Sequence, residues 1–181
     1  MEPGKKAVFL DRDDTLIHNV PYLADPSKVD PIPGASEALQ RLRDAGYLLF
    51  LFTNQSGIGR GYYQRADAEA CNRETEKRLG LSPGFEGICI APESPDDPEP
   101  VYRKPSPRYL EEMISLHGLD PEQVWMVGDK ESDVEAGRRA GVNSARIGKS
   151  RDAEGDGVPT FASVLHFTDW LLALSGETTE D

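Results

Sequence analysis

In "FLDRDDTLIH" (9–18) an apolar run passes directly into three carboxylates, Asp11, Asp13 and Asp14. The chain holds 32 Asp+Glu against 20 Lys+Arg, a net charge of −12. Crowding more negative charge into one turn is unfavourable without a counter-ion, because neighbouring carboxylates raise each other's pKa. Two other apolar runs end on polar groups, "YLLFLF" on Thr53–Asn54 and "VWMV" on Gly128–Asp129, and "RKPSP" supplies Lys104. If these groups meet, a hard divalent cation relieves the repulsion. Mg²⁺ takes a few carboxylate oxygens together with waters and a phosphate, which suits Asp11 and Asp129. Asp133 is either a further carboxylate of that site or a complement to the positive end of a helix starting at 131. Asp13, two positions past Asp11, is close enough to give a proton to a leaving group while Asp11 attacks. Lys104 would neutralise a transferring phosphoryl group, with the Thr53 hydroxyl and nearby backbone N–H groups completing its cradle. Taken singly, each feature also has a plain reading: "DRDD" as a solvated turn, Thr53–Asn54 as a strand end, Lys104 as a surface lysine.

The elements that must position these groups alternate along the chain. "AVFLD" (7–11), "YLLFLFTN" (47–54), "FEGICIA" (85–91), "VWMVGD" (124–129) and "NSARIG" (143–148) read as strands. Several are apolar on successive residues, the mark of strands buried on both faces of a parallel sheet. Segments 34–46, 64–80, 106–118 and 131–141 read as helices, each stopping at a glycine, with Pro33 and Pro105 placed for first helical turns. "FASVLHFTDWLLAL" (161–174) reads as a further helix covering the sheet, with Trp170 in the core. Strand then helix, repeated, predicts an α/β fold: a doubly wound, Rossmann-like parallel sheet with helices on both faces. Ligands of such sheets sit beyond the carboxyl ends of the strands, where Asp11, Thr53, Asn54 and Asp129 all lie. Residues 1–174 are expected to form one domain without a cap, and 175–181 a disordered tail.

Composition narrows the partners. The acidic balance argues against a nucleic-acid groove, and no apolar run is long enough to span a bilayer. Cys71 and Cys89 are the only two thiols, so reduced cysteines and a cytoplasmic setting are expected. The expected partner is a small phosphorylated metabolite, and the expected state a monomer.

"FLDRDDTL" resembles the DxDGT motif of the haloacid dehalogenase superfamily, and "FTNQSG", "RKPSP" and "VGDKESD" resemble its second, third and fourth motifs in the same order. "PGASEAL", "TNQSGIGRGYY" and "YRKPSP" are similar to the capless subfamily of heptose-bisphosphate and histidinol-phosphate phosphatases. The resemblance implies Asp11 as a nucleophile forming an aspartyl-phosphate and Asp13 as general acid, then base. It implies Mg²⁺ held by the Asp11 carboxylate, the Asp13 carbonyl and Asp129. Thr53, Asn54, Gln55 and Lys104 would surround the phosphate, with Arg103 and Lys130 orienting substrate or metal ligands. A sugar phosphate such as heptose 1,7-bisphosphate is then the expected substrate. Histidinol phosphate and a nucleic-acid 3′-phosphate are the alternatives, and a non-catalytic phosphate-binding scaffold is the alternative of another class.

Two positions depart from that pattern. Members of the subfamily carry a Cys/His zinc loop before the RKP motif, whereas "CIAPESPDDPEPVYRKP" has Cys89 alone and no His. No zinc is expected, since a structural site needs four N/S ligands, and proline stiffness is expected to replace it. Asp14 stands where the motif has Gly, a position implying positive φ or close backbone approach.

Overall fold

In the computed structural model, which describes residues 4–148, 155–174 and 176, "KKAVFL" forms β1 (Lys5–Leu10). Its side chains alternate between two cores, as the pleat requires. Val8 and Leu10 enter one cluster and Ala7 and Phe9 the other. Five further strands complete the sheet: β2 (Leu48–Asn54), β3 (Gly87–Ala91), β4 (Leu119–Gly128), β5 (Asn143–Ile147) and β6 (Thr160–Phe161). The order is β3-β2-β1-β4-β5-β6 and every pairing is parallel.

Among the described residues six α-helices accompany the strands: α1 (Ala35–Asp44), α2 (Ser56–Gly59), α3 (Arg65–Arg78), α4 (Arg108–His117), α5 (Glu131–Ala140) and α6 (Val164–Leu174). The first core packs Leu39 and Leu42 of α1 and Phe167 and Leu171 of α6 against Leu49, Leu51 and Val127. On the other face Tyr109 and Leu110 of α4 and Ala136 of α5 cover Phe50, Phe52 and Met126. The doubly wound arrangement is therefore as the alternation predicts. Among the described residues no second folded unit covers the carboxyl ends of the strands.

Register sets the site. Leu10 pairs with both Leu51 and Val127, so Asp11, Thr53 and Asp129 leave the sheet at the same rim. Chain order runs outward from β1 to β3 on one side and from β4 to β6 on the other. The seam between β1 and β4 is thus the switch point where such sheets bind ligands.

Several boundaries differ from expectation. β4 begins at Leu119 rather than 124 and contains Pro121. Its pairing to β5 starts only at Trp125, so the proline occupies a stretch with no ladder on that side. α1 and α4 start at Ala35 and Arg108, leaving Pro33 and Pro105 ahead of the helices rather than in their first turns. The short α2 was hidden in "SGIG". The segment from 161 begins as β6, and Trp170 is only partly buried, packing against Trp125 with ring centroids 5.4 Å apart. Gly46, Gly80, Gly118 and Gly141 do end their helices at positive φ. The expected tail at 175–181 and the segment 149–154 lie outside the described residues apart from Gly176.

Candidate active site

Asp11 is the first residue past β1, and its N–H donates to the Val127 carbonyl across the seam at 2.9 Å. Asp11 as a whole is 5 % exposed. Lys104, 3 % exposed, reaches it from the loop before α4. Its ammonium donates to Asp11 Oδ1 at 3.0 Å and to the Phe52 carbonyl at 2.7 Å, and lies 2.6 Å from Asp133 Oδ1. Asn54 fixes that loop reciprocally. Its Oδ1 accepts the Lys104 N–H at 3.0 Å and its Nδ2 donates to the Lys104 carbonyl at 3.3 Å.

Asp133, the third residue of α5, performs two tasks. Its Oδ2 accepts the Lys130 N–H at 3.0 Å at the start of the helix, and its Oδ1 faces Lys104. Gly128 makes room for it, since a Cβ there would lie 2.1 Å from Asp133 Oδ2. Oxygens of Asp11, Asp129 and Asp133 lie within 4.8 Å of one another. Asp129 Oδ1 is buried with no hydrogen-bond partner.

The one ammonium of Lys104 contacts two of these three carboxylates, Asp11 and Asp133. Burial works against the Lys104 ammonium, yet Asp11 and Asp133 outweigh it and raise its pKa. Burial raises Asp133 more than Lys104 lowers it. Asp129, desolvated and repelled by Asp11 and Asp133, is pushed up to about 8. A hard cation would relieve all three: the donors are all oxygen, and one buried oxygen lacks a partner.

A cavity of about 110 Å³ opens over the cluster, lined by Asp11, Asp13, Asn54, Ser56, Arg103, Lys104, Lys130, Ser132 and Asp133. Thr53 and Gln55, expected at the phosphate, do not line it. Thr53 is fully buried, and Gln55 spends its amide N–H on Asp13 Oδ2 (3.2 Å) and Thr53 Oγ1 (2.8 Å). Asp13 lines the cavity, but its carboxylate is no member of the cation cluster among the described residues. It faces the guanidinium of Arg12 at 3.2 Å. Asp129, as expected, meets Asp11 with a carboxylate, and Asp133 is a third carboxylate of the cluster.

Asp14 adopts φ 59°, the left-handed conformation that the motif's Gly would take without cost. Its exposed carboxylate accepts the Asn19 N–H at 3.2 Å, the local bond that makes Asp tolerable there. It contributes no charge to the cluster.

Reasoning from sequence overlooked two residues. Arg12 is 1 % exposed, although its place between two aspartates was visible. Glu93 clips the loop before "RKP". Its Oε1 accepts the N–H groups of Val101 and Tyr102, both at 2.8 Å, and its carbonyl accepts from Arg103 Nη1 at 3.1 Å. Burial works to raise the Glu93 pKa, but the surrounding backbone N–H groups prevail and hold it below the ordinary value. A hydrogen-bonded carboxylate thus closes the segment for which proline stiffness was expected. Of the other residues considered, Lys130 lines the cavity, and Cys71 and Cys89 are buried free thiols. A larger groove of about 530 Å³ lies between β3 and α4, but none of its lining residues belongs to the carboxylate cluster.

Comparison with known proteins agrees with this geometry. Residues 22–141 match the model of the haloacid dehalogenase-like hydrolases. The D-glycero-beta-D-manno-heptose-1,7-bisphosphate 7-phosphatase of Haemophilus ducreyi is 38% identical over 163 residues, covering 84% of this chain and 90% of that protein. The protein of the same name from Pseudomonas aeruginosa is 32% identical, covering 92% and 94%. A crystal structure of the D,D-heptose 1,7-bisphosphate phosphatase of B. bronchiseptica, complexed with magnesium and phosphate, superposes with a TM-score of 0.84 at 25% identity. It covers 93% of this chain and 99% of that one. The chain, with its acidic cluster at the switch point of a parallel sheet, belongs to the haloacid dehalogenase-like hydrolases.

Proposed function

We propose that this protein is a phosphomonoesterase of sugar phosphates, with a heptose 1,7-bisphosphate as its substrate, working through an aspartyl-phosphate on Asp11. One observation carries the chemistry: a buried lysine bonded to Asp11 and paired with Asp133, beside a carboxylate oxygen of Asp129 that has no partner. The substrate rests on the relatives named as heptose bisphosphate phosphatases.

Asp11, Asp129 and Asp133 would hold Mg²⁺, with the Asp13 carbonyl, and the bound ion would supply positive charge to the phosphoryl oxygens and to the crowded carboxylates. Lys104 holds one Asp11 oxygen in place and offers its remaining charge to the phosphoryl group. An Asp11 oxygen forms the new bond to phosphorus as the ester P–O bond breaks. The electron pair leaves on the sugar oxygen, which takes a proton from Asp13. Water then attacks phosphorus, its proton passing to Asp13, and the acyl-phosphate P–O bond breaks back onto the Asp11 carboxylate. Phosphate leaves and Asp13 is again protonated. Arg103 and Lys130, at the cavity wall, attract the anionic substrate. No zinc is needed, and no helix among the described residues is long and apolar enough to cross a membrane. A cytoplasmic setting fits a soluble sugar-phosphate substrate.

The test is phosphate release, with Mg²⁺ present, from a panel containing heptose 1,7-bisphosphate, histidinol phosphate and a 3′-phosphorylated oligonucleotide. Preference for the first is expected, with all turnover lost in Asp11→Asn. Preference for the oligonucleotide would overturn the substrate, and activity retained in Asp11→Asn would overturn the mechanism.

A further inference from the structure

Taking Asp13 as the proton carrier of the proposed function, we propose that Arg12, Gln55 and Tyr63 are positioning residues that aim its carboxylate at the scissile ester oxygen. Asp13 stands at a boundary. It lines both the cavity over the carboxylate cluster and an adjoining one of about 280 Å³, which also contains Asn19, Tyr22 and Tyr63. A phosphoryl group in the first and its leaving group in the second put the breaking P–O bond beside Asp13.

An aspartate at such a boundary transfers a proton efficiently only when its orientation is fixed within hydrogen-bond reach. Three parts of the chain converge to fix it. The Arg12 guanidinium forks onto both oxygens, Nε to Oδ1 and Nη2 to Oδ2, each at 3.2 Å. Its remaining nitrogen, Nη1, is tied to Asn72 Oδ1 of α3 at 3.0 Å, so the fork cannot swing with the carboxylate. Gln55 Nε2 holds Oδ2 from the end of β2 at 3.2 Å. Tyr63 Oη donates to Gln55 Oε1 at 2.6 Å, which sets the amide with its N–H toward Asp13. The Tyr63 ring is itself seated against Gly57, where a Cβ would lie 2.1 Å from Cε1. Charge neutralisation alone would need only the fork from the adjacent residue. Outside the fork, the Asn72, Gln55 and Tyr63 bonds add direction.

The experiment compares kcat/KM of the Mg²⁺-loaded enzyme on p-nitrophenyl, phenyl and alkyl phosphates, whose leaving groups need protonation increasingly. Arg12→Lys and Gln55→Leu are expected to lose about tenfold to a hundredfold on the alkyl ester and less than about threefold on the p-nitrophenyl ester. Tyr63→Phe, which removes only a hydroxyl and keeps the ring packed, is expected to show the same slope at smaller size. It keeps the proposal testable if Arg12→Lys does not fold. Equal losses on all three esters, or none, in variants that fold would overturn the positioning role. Asp13→Asn separates the two levels of argument. If it steepens the dependence and the other variants do not, only the positioning role fails; if it leaves the dependence unchanged, the reading of Asp13 fails and the positioning role with it.

Discussion

Removing Mg²⁺ is expected to make the protein less stable as pH rises. In the metal-free fold the Asp129 pKa rises from 3.8 to about 8, burial being the first cause and repulsion from Asp11 and Asp133 the next. The sign follows from which state holds the proton. Between the two values the folded protein keeps a proton that the unfolded chain has released, so folding is progressively disfavoured as pH climbs through that window. The penalty is absent below about pH 4 and complete near pH 8. At about 1.4 kcal/mol per unit the ceiling is between about 5 and 6 kcal/mol. Asp129 is partly exposed and solvent screens such a group, so about 2–3 kcal/mol is the working figure. About three quarters of that window lies between pH 5 and pH 8, which for a chain of this size corresponds to a fall of about 3–8 °C in Tm. Asp133, also raised, acts in the same direction. With Mg²⁺ saturating, the three carboxylates are held ionised by the ion, binding releases the proton, and the slope should flatten. Thermal melts in chelator and in Mg²⁺ across this range provide the measurement, their difference cancelling groups remote from the site. Asp129→Asn should reduce the slope to the part that Asp133 contributes and weaken the Mg²⁺ response. A Tm in chelator that is flat or rises from pH 5 to pH 8, or a Mg²⁺ shift equal at both ends, would refute the electrostatic account of the cluster.

Asp14→Gly should leave activity within about twofold, because the carboxylate lies outside the cluster. Its stability should change by no more than about 1 kcal/mol, relief of the left-handed backbone offsetting loss of the Asn19 bond. Melts and p-nitrophenyl phosphate turnover check both, and a large loss of turnover would mean that the third carboxylate serves the site. Glu93→Ala frees Val101 and Tyr102 and loosens the segment presenting Arg103. KM should rise by about tenfold, the equivalent of one lost charged hydrogen bond, with kcat changed less. Steady-state kinetics on a sugar phosphate, with limited proteolysis of 95–100, would expose an intact loop and contradict this.

The sheet and the residues at its rim were legible because they depend on short-range signals: apolar runs for buried strands, and a polar group directly after each. Asp11, Asp129 and Lys104 could be placed from motif order alone. Asp133 could not, since a carboxylate in the first turn of a helix is equally a cap. The fold uses its two oxygens for both purposes. Arg12 was passed over because its meaning depends on Asn72, sixty positions away. Glu93 was counted among the acids of a loop, whereas its partners are backbone groups eight and nine residues on. The extension of β4 back to Leu119 was masked by Pro121, which argues against a strand until the lack of a neighbouring ladder is known.

The position of β1 at the centre of the sheet also bears on how the protein comes into being. A nascent chain that has emerged only through β3 already exposes Asp11, Asp13 and Thr53 but lacks Lys104, Asp129 and Asp133. The seam that aligns these groups forms only when β4 inserts beside β1, joining Leu10 to Val127. Such distant pairings come late, after the loop between them is closed. A chain that stops before β4 ends therefore lacks two of the three carboxylates of the cluster, Asp129 and Asp133.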